Sequence, residues 1–185
     1  FECTTDGSPT RLSDAETLPF VDVCDFPAVV PRAASALDLA GFTAHVEDLL
    51  VSRNLFHAVR WDGVVAEVRT RVTPRQRRPF PPLAEVARHQ VETVTAGRRG
   101  TLAGFWAPAI YQGITVAGLH LHFLSDDRLI GGHVLDVTVE TGELRLAAFA
   151  RLHLHLPTDD LFLRTELTHA DDHRIVAVEG GAAAE

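Results

Sequence analysis

The chain has 185 residues, 46% hydrophobic and 23% charged, with a net charge of −8, all ordinary for a globular protein. All 17 basic residues are arginine, which excludes Schiff-base and pyridoxal-phosphate chemistry, since both need a lysine amine. No apolar run approaches the roughly 18 residues of a membrane helix, and the single arginine cluster, RVTPRQRRP, is too small a basic face for nucleic acid.

FECTTDGSPT has no basic region and no apolar run, so no signal peptide is expected. A cytoplasmic protein follows, with secretion as the alternative. The chain contains no methionine, so Phe1 is not expected to be a translation start. Cys3 and Cys24 are too few for a disulfide framework and are expected as free thiols.

In chain order, a short first strand is followed by a turn at TDGSP, and LPFVDVCDF reads as a buried strand. From Thr43, a plausible N-cap, the spacing of Val46, Leu49 and Leu50 predicts an amphipathic helix ended by Arg53-Asn54. LFHAVRW and VVAEVRTRV are expected to form a hairpin around Asp62-Gly63. PPLAEVARHQVETV, with apolar residues at 83, 86, 87, 91 and 94, predicts a second helix ended by Ala96-Gly97. Strands follow: GTLAGFWAP, ITVAGLHLHFL, GGHVLDVTVE, a tight turn at Thr141-Gly142, and ELRLAAFARLHLHL. The expected class is α+β, with largely antiparallel β-sheets and a few helices. One domain over residues 1–185 is expected, with approximate lobes at 1–96 and 97–185.

Four of the ten histidines lie in two Leu-His-Leu-His runs, at 119–122 and 152–155. Residues two apart in a strand point to one face, so His120 and His122 present neighbouring imidazoles while Leu119, Leu121 and Phe123 face a core. SDDRLIGG then reverses the chain, and His133 opens the returning strand. Three converging imidazoles with open coordination positions suit a catalytic divalent metal, and Gly131-Gly132 permit close backbone approach. The plainer reading of any lone His-x-His is a strand histidine pair with no ligand. His153 and His155, with no glycine-flanked histidine returning, read as a solvated strand face. Asp126 and Asp127 read as turn formers.

SRNLFHAVRWDG, RTRVTPRQRRPFPPL, RGTLAGFWAP and above all ITVAGLHLHFLSDDRLIGGHVLD together resemble bacterial acetolactate decarboxylase. The order and spacing of these blocks cover nearly the whole chain. The resemblance implies a dimeric, two-lobed carboxy-lyase fold holding one zinc ion, or another divalent transition metal, through three histidines. It implies conversion of 2-acetolactate to (R)-acetoin and carbon dioxide, the metal stabilising an enediolate. Residue by residue, the metal ligands fall on His120, His122 and His133, and the catalytic positions on Arg71 and Glu179. His153 and His155 match no metal position. The family pattern also has an acidic residue in a Leu-Asp-Gly-Glu segment upstream of the position matched by Phe1.

The expected partners are a small-molecule substrate and a second copy of the chain, with neither nucleic acid nor membrane. Two alternatives stand beside this reading. A cupin-like metal-dependent oxygenase or isomerase also begins with His-x-His on a strand, with Asp126 or Asp127 in place of the usual glutamate. A non-enzymatic, oligomeric binding domain of the kind attached to AT-hook proteins looks similar around Gly-Gly-His.

Overall fold

The computed structural model describes residues 2–5, 8–16, 20–77, 81, 85–86 and 88–165. Three long strands dominate it: β4 (Phe56–Val72), β5 (Val91–Ala107) and β7 (Gly131–Phe149). With β3 (Arg32–Ala33) and β6 (Gly118–Ser125) they form a five-stranded antiparallel sheet in the order β3-β7-β4-β5-β6. The first three residues of β7 also pair with β6, so the sheet closes on itself through β4, β5, β6 and β7. A separate two-stranded ribbon joins β1 (Glu2–Cys3) to β2 (Pro9–Thr10). The sheets are antiparallel and the helices few, as the sequence predicts.

The core lies inside the curled sheet, where Val59, Trp61, Val65, Leu102, Leu121, Phe123, Val137 and Leu144 are buried together. Helix α1 (Leu39–Asp48) adds Phe42 and Val46 to that cluster. It begins earlier than expected. Asp38 is the N-cap, accepting the Gly41 N–H at 2.8 Å, while Thr43 lies one turn inside and donates to the Leu39 carbonyl at 2.8 Å. The helix ends at Asp48, before Arg53-Asn54. A short helix, α2 (Asp160–Arg164), follows the sheet.

Two expected turns are absent. β4 runs straight through Asp62-Gly63 and β7 straight through Thr141-Gly142. Neither Gly63 nor Gly142 takes the positive φ that a tight hairpin turn requires. Their role is steric. Gly63 pairs with Gly100 on one side and Gly142 on the other, and the Trp61 ring occupies the space a Cβ would need at Gly63 and Gly142. Trp61 is fully buried and its indole N–H donates to the Ala34 carbonyl at 2.9 Å.

Two other expectations also change. Within 81–94 only Glu85 and Val86 are helical among the described residues, and Val91 to Val94 begin β5. The β-branched run Val91, Thr93, Val94, Thr95 suits a strand, and β4 offers a partner of matching length. Residues 20–26 of LPFVDVCDF form no strand, and Val23 is 83% exposed. Apolar alternation reports local fitness for a strand but not whether a free sheet edge is available to it. No helix among the described residues is long and apolar enough to cross a membrane.

Candidate metal centre

β6 behaves as its alternation demands: Leu121, Phe123 and Ser125 are buried, while His120 and His122 project from the opposite face. Ser125 to Ile130 reverse the chain through a turn built by Asp127, which accepts from the Ser125 hydroxyl at 2.6 Å and the Leu129 N–H at 3.1 Å. Asp127 is thereby committed to the turn, as expected of a turn former.

The return strand places His133 directly opposite His122 in β6 and directly opposite Arg71 in β4. Three strands thus deliver Arg71, His133 and His122 in one cross-strand row. Gly132 makes that crowding possible. Its φ is +156°, and a Cβ there would lie 2.7 Å from the Arg71 carbonyl oxygen. Gly131 is equally close to neighbours, since a Cβ would meet the Cys3 sulfur at 2.8 Å. Cys3 and Cys24 are both free thiols, and burial raises the pKa of each.

Among the described residues, His120, His122 and His133 form the group able to hold a metal ion, with one ligand atom from each lying within 4.8 Å of the others. The ring centroids of His120 and His133 are 4.7 Å apart, those of His120 and His122 5.2 Å, and those of His122 and His133 5.4 Å. His120 Nε2 and His133 Nδ1 approach to 2.9 Å. Burial, reinforced by the Arg71 charge, lowers the His120 pKa to about 4. Burial lowers His133 to about 2, with His120, Arg71 and His122 adding to the effect. Both imidazoles are therefore neutral near pH 7, with ring lone pairs available to a metal. His133 is buried, His120 half-buried and His122 exposed, so the cluster opens to solvent on the His122 side. Three imidazole nitrogen donors, gathered on one side and open on the other, fit a divalent transition metal with positions left for a ligand.

Arg71 is buried, at 4% exposure, at the end of β4. Its Nη1 donates to Gln90 Oε1 at 3.1 Å. Sequence reading selected Arg71 but not Gln90, which lies within the stretch expected to be helical and carries no local signal. Glu179 lies outside the described residues, as do His169 and His173.

The second run behaves differently. Every residue from Arg151 to Thr158 is exposed and none is in a strand. The solvent exposure of His153 and His155 matches expectation, but the strand does not. β7 ends at Phe149, which pairs with Phe56, the first residue of β4, so no partner remains beyond it.

Comparison with known proteins bears on the whole chain. The alpha-acetolactate decarboxylase family matches residues 1–169. The alpha-acetolactate decarboxylase of Raoultella terrigena is 40% identical over 185 residues, covering 97% of this chain and 70% of the relative. That of Methylococcus capsulatus is 34% identical over 180 residues, covering 97% and 69%. The crystal structure of alpha-acetolactate decarboxylase from Bacillus subtilis strain 168 superposes with a TM-score of 0.91 at 32% identity, over 95% of this chain and 76% of that one. The chain spans about two thirds of the length of the curated relatives it matches. These relatives are carboxy-lyases by name. By sequence and fold alike, the chain belongs to the alpha-acetolactate decarboxylase family.

Proposed function

We propose that this chain decarboxylates 2-acetolactate to (R)-acetoin and carbon dioxide, with a zinc ion held by His120, His122 and His133. The observation that carries the reading is the meeting of three imidazoles with a buried arginine, in a chain of this family. His120, His122 and His133 would hold the ion, which would supply Lewis acidity to accommodate the electron pair left by departing carbon dioxide.

The residues of the chain supply the rest. The substrate is an anion, and Arg71 offers a planar donor fork suited to a carboxylate. Its burial strengthens that attraction by excluding competing water. The carboxylate loses its charge as carbon dioxide leaves, so a grip that is too strong would favour the ground state over the transition state. Arg71 therefore acts chiefly in orientation, aligning the scissile C–C bond. After cleavage the carbon must take up a proton on one face to give a single enantiomer. Glu179 is assigned that donation, the proton passing from its carboxyl group to carbon, and solvent restores it. The exposed side of His122 is the approach open to substrate.

The test is acetoin production from racemic 2-acetolactate, compared between this chain and one extended upstream by the Leu-Asp-Gly-Glu segment. The extended, zinc-loaded protein is expected to release (R)-acetoin, and to stop when chelated. No acetoin from it removes the reading.

A further inference from the structure

Strand β6 carries two of the three clustered histidines, and β5 runs along the side of β6 away from β7. Register places Phe105 directly opposite His120 and Ala103 directly opposite His122. Residues opposite one another in an antiparallel pair share a face, with Cβ atoms about 5 Å apart. Phe105 and Ala103 therefore stand on the histidine face, while Leu102 and Trp106 of the same strand are buried in the core. Gly104, between them, has the His120 carbonyl oxygen in the space a Cβ would need, so β5 lies tight against β6 at the cluster. The two residues are unequal in bulk and in exposure. Half-buried Phe105 stands by half-buried His120, and exposed Ala103 by exposed His122. Beyond Ala103 the row continues to Arg60 and then Arg145, but Asp62 accepts hydrogen bonds from both guanidiniums. What β5 offers an incoming ligand is shape rather than charge.

We propose that Phe105 and Ala103 form the wall that sets substrate size at this site. The ring of Phe105 bounds the alkyl group on C2 of the substrate, and the small side chain of Ala103 keeps the mouth beside His122 open. This deepens the proposed function and rests on it. The carboxylate, hydroxyl and keto groups of 2-acetolactate are the parts that polar partners hold, which leaves its methyl groups to be discriminated by packing. A phenyl ring gives a methyl group apolar contact and resists a longer chain in the same place. In a fitted apolar pocket one methylene changes selectivity by roughly 10–200-fold. A larger side chain at position 103 would project into the approach beside His122 and penalise the bulkier substrate more.

The test compares Phe105→Ala, Phe105→Leu and Ala103→Leu with the wild type, all zinc-loaded. It reads kcat/KM for 2-acetolactate and for the homologue with ethyl in place of the C2 methyl, together with zinc content and Tm. Calorimetry supplies a readout without turnover: the relative affinities of 2-hydroxy-2-methylpropanoate and 2-hydroxy-2-methylbutanoate, hydroxy acids that differ by one methylene and have no keto group. Phe105→Ala is expected to raise the preference for the ethyl homologue and for the longer probe about tenfold, and Phe105→Leu about threefold. Ala103→Leu is expected to lower both preferences about threefold, with zinc content unchanged in all. A purely structural role would instead lower Tm and depress both substrates in parallel, leaving the preferences alone. Wild-type preferences in Ala103→Leu and in Phe105→Ala, or in Phe105→Leu should Phe105→Ala not fold, overturn the inference while leaving the decarboxylase reading in place. Absence of acetoin from the wild-type protein, with the probe preference still shifting in the variants, overturns the decarboxylase reading and keeps the wall.

Discussion

The two Leu-His-Leu-His runs are the same in letters and opposite in circumstance. In the first, Leu121 is 3% exposed and the histidines beside it gather with His133, which pairs across the sheet with Arg71. In the second, Leu154 is 53% exposed and no residue from Arg151 to Thr158 lies in a strand. Alternation is a conditional property: it assigns two faces only once neighbouring strands exist to define them. β6 has β5 on one side and the start of β7 on the other. The later run has outlasted β4, its potential partner.

Changing the matching residues of each run breaks the comparison most sharply. His122→Ala is expected to remove zinc, from about one ion per chain to nearly none, and to lower acetoin formation by more than about 100-fold, since even changes around metal ligands cost 10–100-fold. His153→Ala and His155→Ala should leave both unaltered. Metal analysis and an acetoin assay on the three proteins decide it, and full zinc occupancy in His122→Ala sinks the ligand assignment.

The leucines give a second contrast, in stability. Leu121→Ala opens a hole in the closed core and should cost about 3 kcal/mol, whereas Leu154→Ala should lie within about 0.5 kcal/mol of the parent. Urea unfolding measures both, and equal costs would contradict the burial difference.

A third and smaller effect separates a buried histidine with a structural task from both runs. His57 is 1% exposed; its Nε2 accepts the Val51 N–H at 3.2 Å, so Nδ1 carries the proton and donates to the Leu55 carbonyl at 3.0 Å. Burial lowers its pKa below 6.5, opposed in part by the Leu55 hydrogen bond. The unfolded chain, with an ordinary imidazole, then binds more protons than the folded one below that pH. Stability from His57 is thus complete above about pH 6.5 and declines as pH falls toward the folded-state pKa. The urea midpoint should drop between about pH 7 and pH 5, and drop less in His57→Gln. An identical pH dependence in the two proteins would exclude this role.

What could be read without coordinates follows a physical line. The three clustered histidines lie within one stretch of chain, and strand periodicity plus a glycine-flanked return suffices to bring them together. Arg71 was singled out through family resemblance alone, since its burial depends on β5 and β7. The contact of Gln90 with Arg71 was not legible: its stretch has helical apolar spacing, and only pairing with β4 makes Val91 onward a strand. The turns expected at Asp62-Gly63 and Thr141-Gly142 failed for a related reason. Glycine there accommodates the Trp61 ring across the sheet, and glycine that makes room is indistinguishable in sequence from glycine that turns.

The closure of the sheet carries a consequence for the order of assembly. His120, His122 and His133 belong to a single hairpin of β6 and β7, and hairpins of this kind form in roughly 1–10 μs. Arg71 meets His133 only when β4 docks against β7, a pairing between distant parts of the chain and therefore slower. The ligand hairpin is a local unit that can arise early, and the arginine with its glutamine arrives when the ring shuts. A chain caught between those two events would already have its three histidines together and still lack the buried arginine beside them.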